Sequence, residues 1–497
     1  MPAENQEAKA PNILWFCADQ MRYDTVSALG NAEIRTPNID RLIARGTAFE
    51  NCYVQNQICT PSRASFLTGR YPAAHNVYRN GNAFFPTSEK LVTRTLADAR
   101  YDCGLIGKLH LSTASKLEQR VDDGYRLFEW CQNPGWERVP DSNAYWRWLR
   151  DKGVDPQEMF PGKPQYLSTG TPAELHQAAW IAERTIDFIG EARDGPWMLS
   201  LNPFDPHPPF NPPPEALARF GDGRDLTPPL FRQSDIAHQA RFFDVRTQKR
   251  RAVNPVLSAA ERAQHIIPKG DARGAKPPEN FDGMAVKAAY YAMIENLDTQ
   301  FGRILDHLEA TGEIDNTIIV FTSDHGEMLG DHGLLYKGCR FFEGLIRVPL
   351  IMAGPGIPAG QRSRAMVESI DIAPTLLDLI GQDVPDAMQG QSFVKTIFAG
   401  ALTHKETVVT DFNDSLGSSE VTHDTRATMT CDGRYKLAIY HSHPGLGELF
   451  DLQEDPDEFN CLWQDPGYAA LKADLVARHL DRMMGTIPAG PHRVAVA

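Results

Sequence analysis

Four short, uninterrupted apolar runs punctuate this chain: Asn12 to Ala18, Trp197 to Asn202, Thr317 to Ser323 and Pro349 to Ala353. A strand with one wet face alternates apolar and polar residues. These runs do not alternate, so they read as strands covered on both faces. Amphipathic helical patterns lie between them. The clearest runs from about Met284 to Glu309, with Met293, Ile294, Leu297, Phe301, Ile304, Leu305 and Leu308 at i, i+3, i+4 spacing and Gly312 as a stop. Another begins near Asp371, tolerates Pro374 in its first turn and ends at Gly381. Strands alternating with helices predict an α/β fold, a large central sheet flanked by helices. Each run also ends in polar or glycine residues, where the strand C-termini of such sheets meet ligands.

A chain of 497 residues exceeds one ordinary core and predicts a large domain with a smaller one. After about residue 399 the pattern shortens to segments such as Thr425 to Thr430 and Arg434 to Tyr440, separated by turn residues. We therefore expect a large domain over 11–398 and a C-terminal subdomain with an antiparallel sheet over 399–497. The Pro- and Arg-rich stretch from Asp205 to Pro278 reads as a long excursion of the kind that covers an active site. A formal net charge of −14, with no dense basic run, argues against nucleic acid as a partner. The apolar runs are too short to span a membrane. Met1 to Ala10 has no apolar core of a secretory signal, and the eight cysteines are scattered, which fits reduced thiols and a cytoplasmic location.

The segment richest in chemistry is Cys59-Thr60-Pro61-Ser62-Arg63, followed by Ala64-Ser65-Phe66-Leu67-Thr68-Gly69-Arg70. Cysteines are mostly inert core residues. Cys59, however, lies among polar residues just before an expected helix start, with Pro61 and Ser62 in the first turn, where free amides favour an anion. Arg63 adds a permanently charged fork suited to oxyanions. Cys-x-Pro-x-Arg followed by Leu-Thr-Gly resembles the signature of the sulfatases, members of the alkaline phosphatase superfamily. In them the cysteine is oxidised to Cα-formylglycine by a separate formylglycine-generating enzyme.

The resemblance extends over roughly residues 11–465 and implies further site residues. Asp19 and Gln20 close the first apolar run, and Asp324 and His325 close the third. As hard donors at strand ends they suit one divalent cation, and in the family these positions, with residue 59, hold the metal. Ca²⁺ is expected, with Mn²⁺ or Mg²⁺ open, because Gln20 lowers the ligand charge. Gly107-Lys108-Leu109-His110 matches the family's Gly-Lys-x-His segment. His207, in Asp205-Pro206-His207-Pro208-Pro209-Phe210, matches its His-Pro-Pro-Phe-like segment. Lys337, after Gly330-Asp331-His332-Gly333, and Asn80 fall where the family places active-site polar groups.

The resemblance implies a role for each. Arg63, Lys108 and Lys337 stabilise the sulfuryl oxygens, and His207, with Lys337, serves the leaving alcohol. His110 deprotonates the second hydroxyl of the hydrated aldehyde. Asn80, Lys108, His207 and Lys337 also bind substrate. Asp19-Gln20 and the region from Gly312 to His332 look like phosphonate monoester hydrolases, but those carry Tyr and Thr where this chain has Lys108 and His110. The expected activity is therefore sulfate monoester hydrolysis, with a phosphonate monoester or phosphodiester hydrolase as the alternative. A non-catalytic anion- or metal-binding protein with unconverted Cys59 is the rival of another class. Variable loops, Trp130 to Tyr166 and Phe210 to Arg251, would shape the alcohol pocket, where Trp136, Trp146 and Trp148 hint at an aromatic leaving group. The C-terminal tail is expected in subunit contacts of a homo-oligomer, as in oligomeric relatives.

Overall fold

A computed structural model describes residues 9–490 except 114–116, 138, 140, 163–164, 244, 246–250, 266–277, 401, 415–424, 442 and 489. Eight strands form the main sheet: β1 (Asn12–Ala18), β2 (Gly46–Tyr53), β3 (Asp102–Gly107), β4 (Tyr125–Trp130), β5 (Trp197–Asn202), β6 (Thr317–Ser323), β7 (Arg347–Ala353) and β8 (Gln361–Glu368). Their order is β4-β3-β5-β1-β6-β7-β2-β8. The sheet is mixed, because β7 runs against both neighbours while the other strands share one direction. A separate four-stranded sheet of order β12-β11-β10-β9 is antiparallel, with β9 (Val408–Asp414), β10 (Thr425–Cys431), β11 (Tyr435–Tyr440) and β12 (Gly447–Asp451).

The uninterrupted runs have the predicted cause. Along β1, Ile13, Trp15 and Cys17 belong to one apolar cluster, while Leu14, Phe16 and Ala18 belong to another. Along β6, Ile318 and Val320 face the first cluster, and Ile319 and Phe321 the second. Side chains of a strand alternate between faces, so a sheet covered on both sides needs apolar residues at every position. The second cluster takes up the stripe of the helix Gly283–Ala310, which includes the predicted Met293, Ile294, Leu297 and Phe301. The first takes up the helices Cys59–Thr68 and Ile372–Leu379 and the inner face of the small sheet, including Phe412, Met429 and Tyr440.

The structure corrects one expectation. The run ending at Ala353 was expected to point a strand C-terminus at ligands, yet β7 is the reversed strand, so its C-terminal end lies away from the shared edge. All eight cysteines are unpaired. Among the described residues no helix is long and apolar enough to cross a membrane. Part of the expected 205–278 excursion, and the tail after 490, fall outside the described residues.

His75 braces the helix Cys59–Thr68. Its Nδ1 accepts from the Val77 amide at 3.1 Å, so Nε2 carries the proton toward Ser65 Oγ at 2.9 Å. Burial, with Arg70 nearby, lowers this imidazole from 6.5 to about 3. Above pH 6.5 neither folded nor unfolded chain protonates it, so it adds no pH dependence there. Between 6.5 and 3 the unfolded chain takes the proton and the native one refuses it, so stability falls as pH falls. We expect His75→Gln to remove up to about 1.4 kcal/mol per pH unit from that acid slope. Urea unfolding of both proteins at pH 7, 6 and 5 measures it, and parallel slopes would contradict the assignment.

Candidate active site

Strands β1, β3, β5, β6 and β2 point their C-termini at one edge, and the predicted residues come from the segments just beyond those ends. Asp19 and Gln20 follow β1, Lys108 and His110 follow β3, His207 follows β5, and Asp324 and His325 follow β6. Beyond β2, Cys59 is the first residue of the helix Cys59–Thr68, so the helix starts at the cysteine rather than after it. Ile58 offers no side-chain cap; the Thr60 amide donates instead to Asn80 Oδ1 at 2.9 Å, and Asn80 is itself exposed. Gly107 permits the convergence of β3 and β5: at φ +111 it brings Lys108 N to 2.9 Å from Asn202 O, where a Cβ would lie 2.0 Å from that oxygen.

The Cys59 sulfur is 2.8 Å from Lys337 Nζ, 3.3 Å from His325 Nε2, 3.6 Å from Lys108 Nζ and 3.6 Å from Asp19 Oδ1. His110 and His207 also lie close enough to the sulfur to interact with it. Lys108 donates to Asp19. Arg63 Nε donates to Asp324 Oδ2 at 2.8 Å, and its Nη1 to Lys108 O and Asn202 Oδ1. Ten of the eleven predicted residues are buried; Asn80 is the exception.

Burial alone would raise the Cys59 thiol, but Lys108, Lys337 and His325 hold it well below the usual range. Burial and the Cys59 sulfur push Asp19 upward, yet Lys108, His207 and Arg63 prevail and set it at about 2. Burial disfavours the Lys108 ammonium, and Asp19 and Cys59 more than compensate, so it stays charged. Burial and Lys108 lower His110 to about 4, and burial and Lys337 lower His207. Both imidazoles are therefore neutral near pH 7. Once residue 59 no longer carries the thiolate charge, two carboxylates, Asp19 and Asp324, stand against three cations, Arg63, Lys108 and Lys337, in a buried site. Such a site favours an anion.

The sulfatase family model matches residues 11–382, three quarters of the chain, and spans every one of these side chains. The chain belongs to the sulfatase family. A second family model, the C-terminal region of N-sulphoglucosamine sulphohydrolase, matches residues 330–484. The multifunctional alkaline phosphatase superfamily protein PehA of Trinickia caryophylli is 30% identical, with 94% of each chain covered. An arylsulfatase of Clostridium perfringens is 29% identical over 92% of this chain and 91% of its own. Among solved structures, phosphonate monoester hydrolase of Agrobacterium radiobacter superposes with a TM-score of 0.78 at 28% identity, covering 96% of both chains.

This sulfatase also uses residues that its sequence did not single out. Buried Glu118 accepts from the amides of His110, Leu111 and Ser112 and so holds the His110 turn, where His110 adopts φ +58. Buried Glu327 accepts from the Gln20 side-chain amide and from the backbone amides of Leu329 and Tyr336. Ser62 Oγ donates to Asp324 O at 2.5 Å. Isolated carboxylates at 118 and 327 carry no signal by themselves, although Glu327 ends the run that begins at Thr322.

The residues present fit a divalent cation. Ligand atoms of Asp19, Cys59, Asp324 and His325 all lie within 4.8 Å of one another. His325 Nδ1 lies 2.8 Å from Gly326 O, which assigns its proton there and leaves the Nε2 lone pair facing the cluster. Gln20, at φ +71, has its amide nitrogen engaged by Glu327, while its buried Oε1 has no partner. A buried amide oxygen without a partner is a donor such an ion could use. Glu327→Gln, which keeps the shape but releases the Gln20 amide, is expected to weaken divalent-cation binding about tenfold. Calorimetric titration measures it, and unchanged affinity would remove Glu327 from this role.

Proposed function

We propose that this sulfatase hydrolyses sulfate monoesters with a Cα-formylglycine made from Cys59 and one divalent cation. The observation that supports this most is Cys59 itself, buried at a helix N-terminus within hydrogen-bonding reach of Lys337, Lys108 and His325. On this proposal Asp19, Gln20, Asp324 and His325, with residue 59, hold the cation, and its oxygen-rich donor set suits Ca²⁺, with Mn²⁺ or Mg²⁺ as the alternatives. The cation supplies charge for the sulfuryl oxygens and lowers the pKa of the attacking hydroxyl. The aldehyde would supply, through its hydrate, an oxygen nucleophile.

Each protein group then has a task set by its position. Arg63 is fixed by Asp324, Lys108 O and Asn202, so its fork presents charge to the sulfuryl group without reorganising. Lys108 and Lys337 flank residue 59 and share that load. His207 Nδ1 lies 2.6 Å from Pro208 O, so its Nε2 faces residue 59 and the leaving oxygen. A bound anion offsets the depression that burial and Lys337 impose on His207, so a proton can accompany the substrate and pass to the alcohol. His110, kept neutral and held by Glu118, takes the proton whose removal expels sulfate.

A phosphonate monoester or phosphodiester hydrolase is the second proposal, favoured by the likeness to the Agrobacterium phosphonate monoester hydrolase. The Lys108–Asp19 contact beside Cys59 favours sulfate, because the signature of those hydrolases has no cation at that position. An unconverted thiol would instead complete a Cys/His/Asp set suited to zinc, the third proposal.

The decisive experiment combines the mass of the peptide containing Cys59 with rates on aryl sulfate and phosphonate esters, using protein co-produced with a formylglycine-generating enzyme. Activity is expected to track the converted fraction, with sulfate preferred. His110→Ala and Lys337→Ala are each expected to lower kcat by about 10² to 10⁴. Full activity with an intact thiol would sink the mechanism.

A further inference from the structure

A cavity of about 640 Å³ lies against the turn that carries His207. That volume falls within the range of small-molecule sites. Its walls are Trp136, Trp146, Met159, Phe160, Phe204 and Pro209, with backbone and small polar residues between them. None of the eleven predicted site residues lines it. It nevertheless shares a wall with the catalytic cluster: the Phe204 ring centroid is 4.6 Å from that of His207, and Lys108 Nζ stands 5.5 Å from the Phe204 centroid. Pro209, on the other side of His207, lines the same cavity.

Resting on the hydrolase proposal above, we propose that this cavity seats the alcohol half of the ester and selects a neutral, flat, fused-ring alcohol. Three polar groups of the wall are engaged. Trp146 Nε1 donates to Pro134 O at 2.8 Å, Asn133 Oδ1 accepts from the Gly135 amide at 2.8 Å, and Glu137 is paired with Arg150 at 2.9 Å. Glu137 is the only ionisable residue among the described lining residues. Beside Ser168, Thr169, Thr171 and Asn211 the wall presents ring surface: Trp146 and Phe160 stand nearly parallel, 8° apart, with centroids 6.4 Å from each other. A flat apolar ring gains stacking there. An ester oxygen at His207 puts the first ring over Phe204 and a second ring among Trp136, Trp146 and Phe160.

Gly135 provides the test, because a side chain there can be added without strain. It lines the cavity, and its Cβ would meet only Asn133 Oδ1 at 3.4 Å and Phe160 at 3.9 Å. Phenyl and 2-naphthyl sulfate have leaving groups of similar basicity, so their ratio of kcat/KM reports the second ring. We expect the wild type to prefer the naphthyl ester by about tenfold or more, and Gly135→Phe to abolish that preference, read as the ratio of the two kcat/KM values within each protein. Calorimetry with 2-naphthol should give binding that Gly135→Phe removes and that competes with substrate. Equal rates on the two esters, a glucose sulfate surpassing both, or naphthol binding without competition would each overturn the proposal. Naphthol binding lost in Gly135→Phe, with no sulfate ester turned over, would leave the cavity assignment standing and count against the hydrolase proposal instead.

Discussion

The site depends on the register between β1 and β6. Their parallel pairing sets Ala18 opposite Ser323, so the next residues of each strand, Asp19 with Gln20 and Asp324 with His325, leave the sheet side by side. Two carboxylates placed so close in a dry interior repel strongly, and the fold answers with Arg63 on Asp324 and Lys108 on Asp19. Those two cations come from the helix after β2 and the turn after β3, which ties distant parts of the sheet to a single electrostatic balance. Removing either cation leaves a buried carboxylate unpaired, a change of about 3–5 kcal/mol in comparable cases. The cations that stabilise the fold here are the ones an oxyanion would meet.

Precision in this cluster comes from groups that never touch Cys59 in the structure. Glu118 gathers three successive amides at the His110 turn, and Glu327 gathers two amides and the Gln20 side chain. Burial raises both carboxylates, and the donors they collect work against that rise. Both lie next to non-glycine residues in left-handed backbone, His110 at φ +58 and Leu329 and Tyr336 at φ +54 and +70. Conformations of this kind persist where the surroundings over-determine them, and here the surroundings are those buried carboxylates.

Legibility in the sequence followed solvent exposure. Strands β1, β5 and β6 are central, covered on both faces, and appear as unbroken apolar runs with their observed limits. At the edges, β4 (Tyr125–Trp130) and β8 (Gln361–Glu368) carry exposed Arg residues among their apolar ones, and neither shows a run. Strand β7 was visible as apolar, but its reversed direction depends on pairing with β6 and β2, which composition does not encode. Within the site, residues in contiguous motifs, such as Cys59 with Arg63 or Lys108 with His110, were legible. Glu118 was not, because its partners are amides that any residue could supply.

The contrast between contiguous and scattered residues has a physical origin in where residue 59 ends up. Cys59 is 1% exposed, at the first turn of a helix whose ten residues are all buried. On the proposal that it is oxidised by a separate enzyme, that enzyme cannot reach the thiol in the folded chain. It must act before the helix docks, when neither the metal ligands nor the cations of the site have converged. Recognition at that stage can use only neighbours in sequence, so Cys59, Pro61 and Arg63 must serve as a linear signal first and as a helix start and charge fork afterwards. The proposed metal ligands face no such double demand, and Asp19, Gln20, Asp324 and His325 are accordingly free to lie some 300 residues apart, brought together by β1 and β6 alone.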